Sequence, residues 1–323
     1  MSYSHRMQRN MIKTSYFAPR GRDRMYDLGM QIGQMYLSPY DRLIGVIGDA
    51  GSGKSALIHG MFPGLELTND DDGVNVRPLP ILDVTEQHGF YTPHTYHLDI
   101  RFEMGFTQPH ILAEAIMDAI ELKKRVIVEH FDLIRPHLPR NADLLIGVGE
   151  QVIVTRPTMF GPEPADLVDE VHSSLRYRLM AHTAEDLCEM HMSSKLMKLC
   201  HHDDINHGFV MVFYDKAPEI DLLELERKVN EDIAKDLPIT YENETHVRIG
   251  DTVHLCGGPR MHMASTGKVE GFRLCHEIIY DNQRNRYLLI GLVGEHSDER
   301  ISRLRKSAKM SGMVGPFIYD ASH

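Results

Sequence analysis

One glycine-rich octet has residue types and spacing that indicate a specific chemistry. It consists of Gly48, Asp49, Ala50, Gly51, Ser52, Gly53, Lys54 and Ser55, and it fits the pattern G-x-x-x-x-G-K-[ST]. Glycines let the backbone curl so that successive N–H groups point at phosphate oxygens, and a following helix adds its positive N-terminal end. We predict a nucleotide-phosphate site that extends to Ala56, in which Lys54 reaches the β- and γ-phosphates and Ser55 holds Mg²⁺.

A second group for the same site is predicted at the end of a later apolar segment. The segment Arg125 to Glu129 is β-branched and apolar, and Glu129 follows its last valine. Phosphate-loop proteins place an acidic residue there to hold Mg²⁺ or to act as a base. Glu129 is our candidate for the residue that holds Mg²⁺ or acts as a base on the acceptor, and Asp132 is the alternative. Asp83 and Asp99 are further candidates for binding an acceptor hydroxyl.

Strands and helices alternate around these residues. Asp41 to Ile47 is an apolar strand that leads into the octet, and Gln108 to Lys124 has apolar residues at helical spacing. Asp143 to Val148 and Gln151 to Thr155 are predicted strands that extend a parallel sheet. Proline and glycine then interrupt the pattern, so we predict a first α/β domain over residues 41–164.

Other segments of the first half give shorter patterns. Residues 1–20 are polar and are predicted to be an irregular extension, whereas Arg22 to Tyr36 is predicted to be an amphipathic helix. Together they make residues 1–40 an extension with a helix. Asn69 to Gly73 is predicted to be an exposed acidic turn, and Pro80 to Val84 a short strand.

The strand-helix alternation, the octet and the segment Val126 to Phe131 resemble the uridine kinase and phosphoribulokinase branch of phosphate-loop kinases. The resemblance implies ATP and Mg²⁺ as cofactors, a small-molecule acceptor, and catalytic roles for Lys54 and Glu129. That branch usually has glycine where this chain has His130, and an arginine-rich lid where this chain has Arg156. The chain has no Asn-Lys-x-Asp motif for reading guanine, which favours ATP over GTP.

Residues 165–323 are predicted to form a second, α+β domain with its own series of motifs. His182 to Leu187 lies in a helical stretch over residues 165–199, and a strand over residues 207–215 and a helix over residues 220–236 follow. Leu255 to Gly258 and Ser265 to Gly267 come next. In this order, over about residues 170–295, the motifs resemble the second additional domain of alanyl- and threonyl-tRNA synthetases and free-standing aminoacyl-tRNA editing proteins.

This resemblance implies a zinc or catalytic site that hydrolyses mischarged aminoacyl-tRNA. The family uses two histidines one helical turn apart and a Cys-His pair from a distant loop. Here His182 and Cys256 match the family, and Asp186 stands where the second histidine is usual. If the motif is aligned from its cysteine, Arg260 falls at the position of the family's last histidine. If it is aligned from Thr266 and Gly267, His262 falls there, and the chain has a two-residue insertion. We prefer His262.

Two interpretations of these four residues remain open. Aspartate can ligate zinc, so His182, Asp186, Cys256 and His262 are one candidate Zn²⁺ site. The other interpretation is a domain that has lost the metal and serves as a binding surface, or as a dimer surface in a homodimer. The cluster Cys200 to Asp204 also contains metal-ligand residue types, but its spacing suits no known site and it is predicted to be a solvated loop.

Composition limits the partners. The chain of 323 residues has a net charge of −11, which excludes a uniformly basic face for nucleic acid. A basic stretch from Arg300 to Lys309 is either a contact for tRNA phosphates or a solvated helix face, and Gly312 to His323 is predicted to be a short strand and tail. No apolar run reaches the length of a membrane span, no secretory signal is apparent, and the four cysteines include no C-x-x-C pair, so we expect a cytoplasmic protein with reduced thiols.

Three functions follow as hypotheses. The first is an ATP-dependent, kinase-like phosphotransferase acting on an unidentified small molecule. The second is an aminoacyl-tRNA deacylase gated by nucleotide. The third is a non-catalytic sensor that responds to ATP together with tRNA or an amino acid.

Overall fold

The computed structural model describes residues 12–64, 80–83 and 95–310. The predicted turn Asn69 to Gly73 and the tail Gly312 to His323 lie outside these ranges. By its internal contacts the chain divides into two compact units, residues 1–175 and residues 176–323. The division falls within one long helix, Pro164–Met190, whose first residue is at the boundary predicted from the sequence.

Unit 1 contains a six-stranded sheet with helices on both of its faces. Its strands are β1 (Thr14–Phe17), β2 (Leu43–Ile47), β3 (Thr95–Asp99), β4 (Arg125–Glu129), β5 (Leu144–Val148) and β6 (Gln151–Thr155). Its helices are α1 (Arg22–Tyr36), α2 (Lys54–Met61), α3 (Ile100–Glu103), α4 (Pro109–Glu121), α5 (Phe131–Ile134) and the start of α6 (Pro164–Met190), with 3₁₀ turns at Pro80–Asp83 and Arg135–His137. The predicted helix Arg22 to Tyr36 is confirmed.

The strand order of this sheet is β1-β6-β5-β2-β4-β3. Strands β5, β2, β4 and β3 are parallel, whereas β6 is antiparallel to β5, and β1 is antiparallel to β6. The prediction that Gln151 to Thr155 extends a parallel sheet is therefore wrong. Only two residues separate β5 from β6, and a parallel pair needs a crossover of a dozen or more. Residues 14–17, assigned to an irregular extension, form the edge strand β1.

Alternation of apolar residues along the central strands builds two cores. Leu43 and Ile47 of β2 face a cluster that includes α4, whereas Ile44 and Val46 face a cluster that includes α1 and α2. Helices α1 and α2 approach closely through glycine: a Cβ placed on Gly60 would lie 2.0 Å from the carbonyl oxygen of Tyr26. Gly29 of α1 is equally constrained, because a Cβ placed on it would lie 2.2 Å from the carbonyl oxygen of Leu57.

Unit 2 is an α+β arrangement with antiparallel sheets. Its strands are β7 (His201–Ile205), β8 (Gly208–Phe213), β9 (Ile239–Asn243), β10 (His246–Ile249), β11 (Thr252–Leu255), β12 (Arg273–Leu274), β13 (Ile279–Asp281) and β14 (Arg286–Leu292). Its other elements are the end of α6, then α7 (Ser194–Met197), α8 (Leu222–Ala234), a 3₁₀ turn at Thr266–Lys268 and α9 (Ser297–Met310). One sheet has the order β12-β14-β8-β7 with β13 beside β14, and the other has the order β11-β10-β9.

The core of unit 2 lies between α6, α8 and the sheets, and α9 covers part of the opposite face of the larger sheet. Two local predictions are corrected. Cys200 to Asp204 is not a loop, because His201–Ile205 pairs with β8 as strand β7. Pro80 to Val84 is not a strand, because Pro80–Asp83 forms a 3₁₀ turn. In the part of the chain that the structure describes, no helix has the length and hydropathy needed to cross a membrane.

Candidate functional site

The octet lies in the loop between the carboxyl end of β2 and the start of α2. Gly51 and Gly53 have φ angles of 78° and 92°, in the left-handed region that favours glycine. Gly53 is the N-cap of α2, so the helix begins at Lys54. A helix N-terminus presents free N–H groups and partial positive charge, which suits an anion.

Three side chains meet at this loop. Lys54 is buried, and its Nζ donates a hydrogen bond of 2.8 Å to the carbonyl oxygen of Asp49 and lies 3.5 Å from Oε2 of Glu129. The Ser55 hydroxyl donates to Oε1 of Glu129 at 3.3 Å. The sheet register explains the meeting: Val46 in β2 lies opposite Glu129 in β4, so both parallel strands end at the same edge.

The environment of Glu129 keeps it ionised. Burial by itself would raise the pKa of this carboxyl, but a hydrogen bond with His97 and the charges of His97, Lys54 and His130 outweigh burial and lower the pKa to about 2. His97 Nε2 lies 3.0 Å from Glu129 Oε1, and both side chains are buried. Sequence reasoning missed His97, although a histidine inside an apolar strand next to a strand-end acid was an available signal.

His130 occupies the position where the resembled kinases usually have glycine. Its φ angle is 55°, so this non-glycine residue adopts the left-handed conformation while being buried. Burial, followed by the charges of Lys54 and Arg101, lowers the pKa of His130 to about 4, so the imidazole is neutral at pH 7. Asp99, Glu129 and His130 each offer a ligand atom, and the three atoms lie within 4.8 Å of one another.

The remaining acidic candidates have different surroundings. Asp99 accepts a hydrogen bond of 3.1 Å from the backbone N–H of Phe102 through Oδ1, and it caps α3. Asp132 lies in the first turn of α5 and raises the pKa of His130 through its charge. The side chain of Asp83 lies outside the described part of the structure.

Arg156 does not reach the octet and cannot serve as a lid. Its Nη1 and Nη2 donate hydrogen bonds of 2.8 Å to the two carboxylate oxygens of Asp41, and Nη1 also donates to the carbonyl oxygen of Asp143. Asp41 precedes β2, whereas the octet follows it. Because β6 is antiparallel to β5, the end of β6 points to the edge of the sheet opposite the octet.

In unit 2, His182, Asp186, Cys256 and His262 meet at one point. One ligand atom from each lies within 4.8 Å of the others. His182 Nε2 is 3.2 Å from Cys256 Sγ, and His262 Nε2 is 2.9 Å from Asp186 Oδ2 and 3.9 Å from Cys256 Sγ. His182 and Asp186 are one turn apart on α6, so they share a helix face. We call this set the tetrad.

Arg260, the alternative to His262, points elsewhere. Its guanidinium is exposed, pairs with Glu244 at 3.3 Å and lies 4.7 Å from the centre of the Tyr241 ring. A loop that begins after Cys256 places His262, not Arg260, on the tetrad. His262 is therefore the residue of this loop that joins the cluster.

The donor set of the tetrad fits a zinc ion. Two imidazoles, a thiol and a carboxylate are the ligand types that zinc takes in tetrahedral sites. Burial, followed by the charge of Asp186, raises the pKa of the Cys256 thiol well above its usual range. A bound cation removes such a proton, since metals bind the thiolate. His182 is buried, and its Nδ1 has no hydrogen-bond partner.

More acidic and histidine side chains lie beside the tetrad, and the sequence reasoning did not single them out. His254 Nε2 in β11 lies 3.3 Å from Glu189 Oε2, and His202 Nδ1 in β7 lies 3.1 Å from Glu185 Oε1. The available signal was three acids within five residues, Glu185, Asp186 and Glu189, in the helical stretch that also contains His182.

The basic stretch in α9 is partly used within unit 2. Arg300 donates a hydrogen bond to the carbonyl oxygen of Asn206, and Arg305 pairs with Glu277. Contact of the stretch with tRNA phosphates stays a prediction.

Comparison of the sequence with models of known protein families and with curated proteins gives no match to either. Function is therefore inferred from the geometry of the two sites.

Proposed function

We propose that unit 1 binds Mg·ATP at the octet and transfers the γ-phosphate to a small molecule, as a kinase-like phosphotransferase. The observation that supports this most directly is the position of Glu129. Its two carboxylate oxygens lie 3.5 Å from Lys54 Nζ and 3.3 Å from Ser55 Oγ, at the carboxyl edge of the sheet.

The described residues fit magnesium and a triphosphate. A carboxylate and a hydroxyl are the hard oxygen ligands that Mg²⁺ prefers, and left-handed glycines shape the loop in front of a helix N-terminus. Mg²⁺, when bound, neutralises charge on the phosphate oxygens. Lys54 supplies a second positive charge for the transferred group, and Glu129 stays ionised over the physiological pH range because its pKa is about 2.

The acceptor is expected at the neighbouring strand end. Asp99 ends β3, directly beside Glu129 in the sheet register. A carboxylate at this place can accept the proton of an acceptor hydroxyl, and the neutral His130 can orient the same hydroxyl by a hydrogen bond. His97 acts through Glu129, whose carboxylate it holds in place.

The test uses ATP labelled at the γ-phosphate, with Mg²⁺ and a small-molecule extract, and then with bulk tRNA. We expect the label on a new small molecule, and we expect Lys54→Ala to abolish the transfer. Label that appears only as free phosphate, faster with tRNA, would instead indicate an ATPase coupled to unit 2. ATP that binds without turnover would contradict the kinase and leave the non-catalytic sensor.

The geometry of the tetrad favours a second activity, hydrolysis of an aminoacyl-tRNA ester in unit 2. A bound Zn²⁺ supplies Lewis acidity and raises the acidity of water. His182, Asp186, Cys256 and His262 would hold the cation. We expect purified protein to contain zinc and to hydrolyse seryl- or glycyl-tRNA, whereas His262→Ala loses both properties. Protein without metal and without hydrolysis would contradict this activity and favour a binding surface.

A further inference from the structure

We propose that a second divalent cation binds next to the tetrad, held by Asp186, Glu189 and His254, so that Asp186 serves both sites. The proposal rests on the tetrad being a metal site. It makes unit 2 a two-metal centre of the kind that assists hydrolysis, with a carboxylate common to both cations.

The geometry of these residues is that of a ligand set. Asp186, Glu189 and His254 each offer a ligand atom, and the three atoms lie within 4.8 Å of one another. Asp186 and Glu189 are three residues apart on α6 and therefore lie on one helix face, while His254 approaches from β11. Two carboxylates and one imidazole are suitable ligands for a borderline divalent cation such as Zn²⁺.

The balance of buried charge also favours two cations. Four acidic groups, Glu185, Asp186, Glu189 and the Cys256 thiol, lie within this part of unit 2 with little exposure. Three of these groups are carboxylates of α6, of which Glu185 pairs with His202 and Glu189 pairs with His254. Because carboxylates that share a little-exposed site repel one another, a divalent cation between Asp186 and Glu189 lowers the cost of holding them together.

A polar atom of the tetrad also lies beside these carboxylates. Nδ1 of His182 is buried and has no hydrogen-bond partner, although it faces Oε2 of Glu185 at 3.7 Å and Oδ1 of Asp186 at 4.0 Å. Those distances are longer than a hydrogen bond. An imidazole that ligates a cation through Nε2 carries its proton on Nδ1, so this atom is placed to donate to the Glu185 or Asp186 carboxylate.

The experiment titrates metal-free protein with Co²⁺, a spectroscopic substitute for zinc, and measures bound Co²⁺ by equilibrium dialysis. The Cys256 thiolate gives a charge-transfer band in the near ultraviolet and so reports the tetrad alone. We expect two Co²⁺ per chain. Glu189→Gln and His254→Gln should each weaken one of the two by about 10-fold or more and leave the thiolate band unchanged. Glu231→Gln, an exposed change on α8, serves as the matched control.

The outcomes separate the two sites. One Co²⁺ per chain with the thiolate band, unaffected by Glu189→Gln, would overturn the second site and show that Glu189 and His254 form an ion pair only. Co²⁺ binding that depends on Glu189 but gives no thiolate band would contradict the tetrad while supporting the second site. Absence of any Co²⁺ binding would overturn both. Because the thiolate band requires the assembled tetrad, it also shows that each variant has folded.

Discussion

Cys256 Sγ lies 3.2 Å from His182 Nε2, although 74 residues separate them in the chain. Between them the chain forms helix α7, strands β7 and β8 of the larger sheet, helix α8, and strands β9, β10 and β11 of the smaller sheet. The loop that follows β11 then returns to α6. The contact places a sulfur donor against a buried imidazole. The first prediction concerns His262, which joins the same cluster through Asp186.

His262→Ala should remove the metal from purified protein, whereas Arg260→Ala should retain it. His262 lies on the tetrad, but Arg260 is exposed and pairs with Glu244. Loss of one ligand typically weakens structural zinc binding by orders of magnitude. Elemental analysis of the two variants after identical purification measures the difference. Metal retained by His262→Ala and lost by Arg260→Ala would support the other sequence alignment.

Lys54→Ala should weaken ATP binding by about 100-fold, because a charge-assisted contact with phosphate contributes ~3 kcal/mol. Isothermal titration calorimetry with Mg·ATP measures the change. Lys13→Ala is the matched control in the same unit, since Lys13 forms an exposed ion pair with Glu170. Equal ATP affinity in wild type and Lys54→Ala would contradict a phosphate site at the octet.

Glu129 should make the protein less stable in acid. Its pKa in the folded state is about 2, below the ordinary value of 4.5, so its contribution is complete above about pH 5 and is lost as the pH falls toward 2. Between pH 5 and pH 3 the loss amounts to ~2 kcal/mol. Between pH 5 and pH 3 the free energy of unfolding of Glu129→Gln should therefore fall by ~2 kcal/mol less than that of the wild type. Urea unfolding of both proteins at both pH values measures this difference. The same loss in both proteins would show that the pKa is not depressed.

His130→Gly should be more stable than His130→Ala by ~1 kcal/mol, because the φ angle of 55° favours glycine over any residue with a Cβ. Both variants lack the imidazole, so their difference isolates the backbone conformation. Urea unfolding of the pair measures it. An alanine variant at least as stable as the glycine variant would contradict the left-handed conformation at this position.

Asp41→Asn should destabilise unit 1 by ~3 kcal/mol, since it leaves the guanidinium of Arg156 largely buried without its charge partner. ATP affinity should stay unchanged, because the Asp41–Arg156 pair lies at the edge of the sheet opposite the octet. Chemical unfolding and calorimetry with Mg·ATP measure the two effects separately. A marked loss of ATP affinity in folded Asp41→Asn protein would indicate that Arg156 contributes to nucleotide binding after all.

The local elements were largely predictable from the sequence. Apolar periodicity gave α1 with its observed bounds and located β2, β4 and α8 to within a few residues. These segments form where the pattern predicts because their periodicity decides which side chains can be buried together. The mixed α/β character of the chain is confirmed.

Strand direction and the edge of the sheet could not be predicted in the same way. Val152 to Val154 are apolar in either orientation, and only the two-residue connection to β5 makes β6 antiparallel. That reversal carries Arg156 away from the octet and to Asp41. The polar segment Thr14–Phe17 became a strand because β6 offered it an edge to pair with.

The sequence by itself determined the octet, since its short spacing fits one local loop before a helix. The residue types of the tetrad were found through the resemblance to the synthetase editing domain. The tertiary structure alone decided which distant groups meet them. His97 reaches Glu129 because β3 lies beside β4, and Glu189 reaches His254 because β11 packs near α6. Such contacts join residues from different elements, so they depend on how the elements pack and not on any pattern along one element.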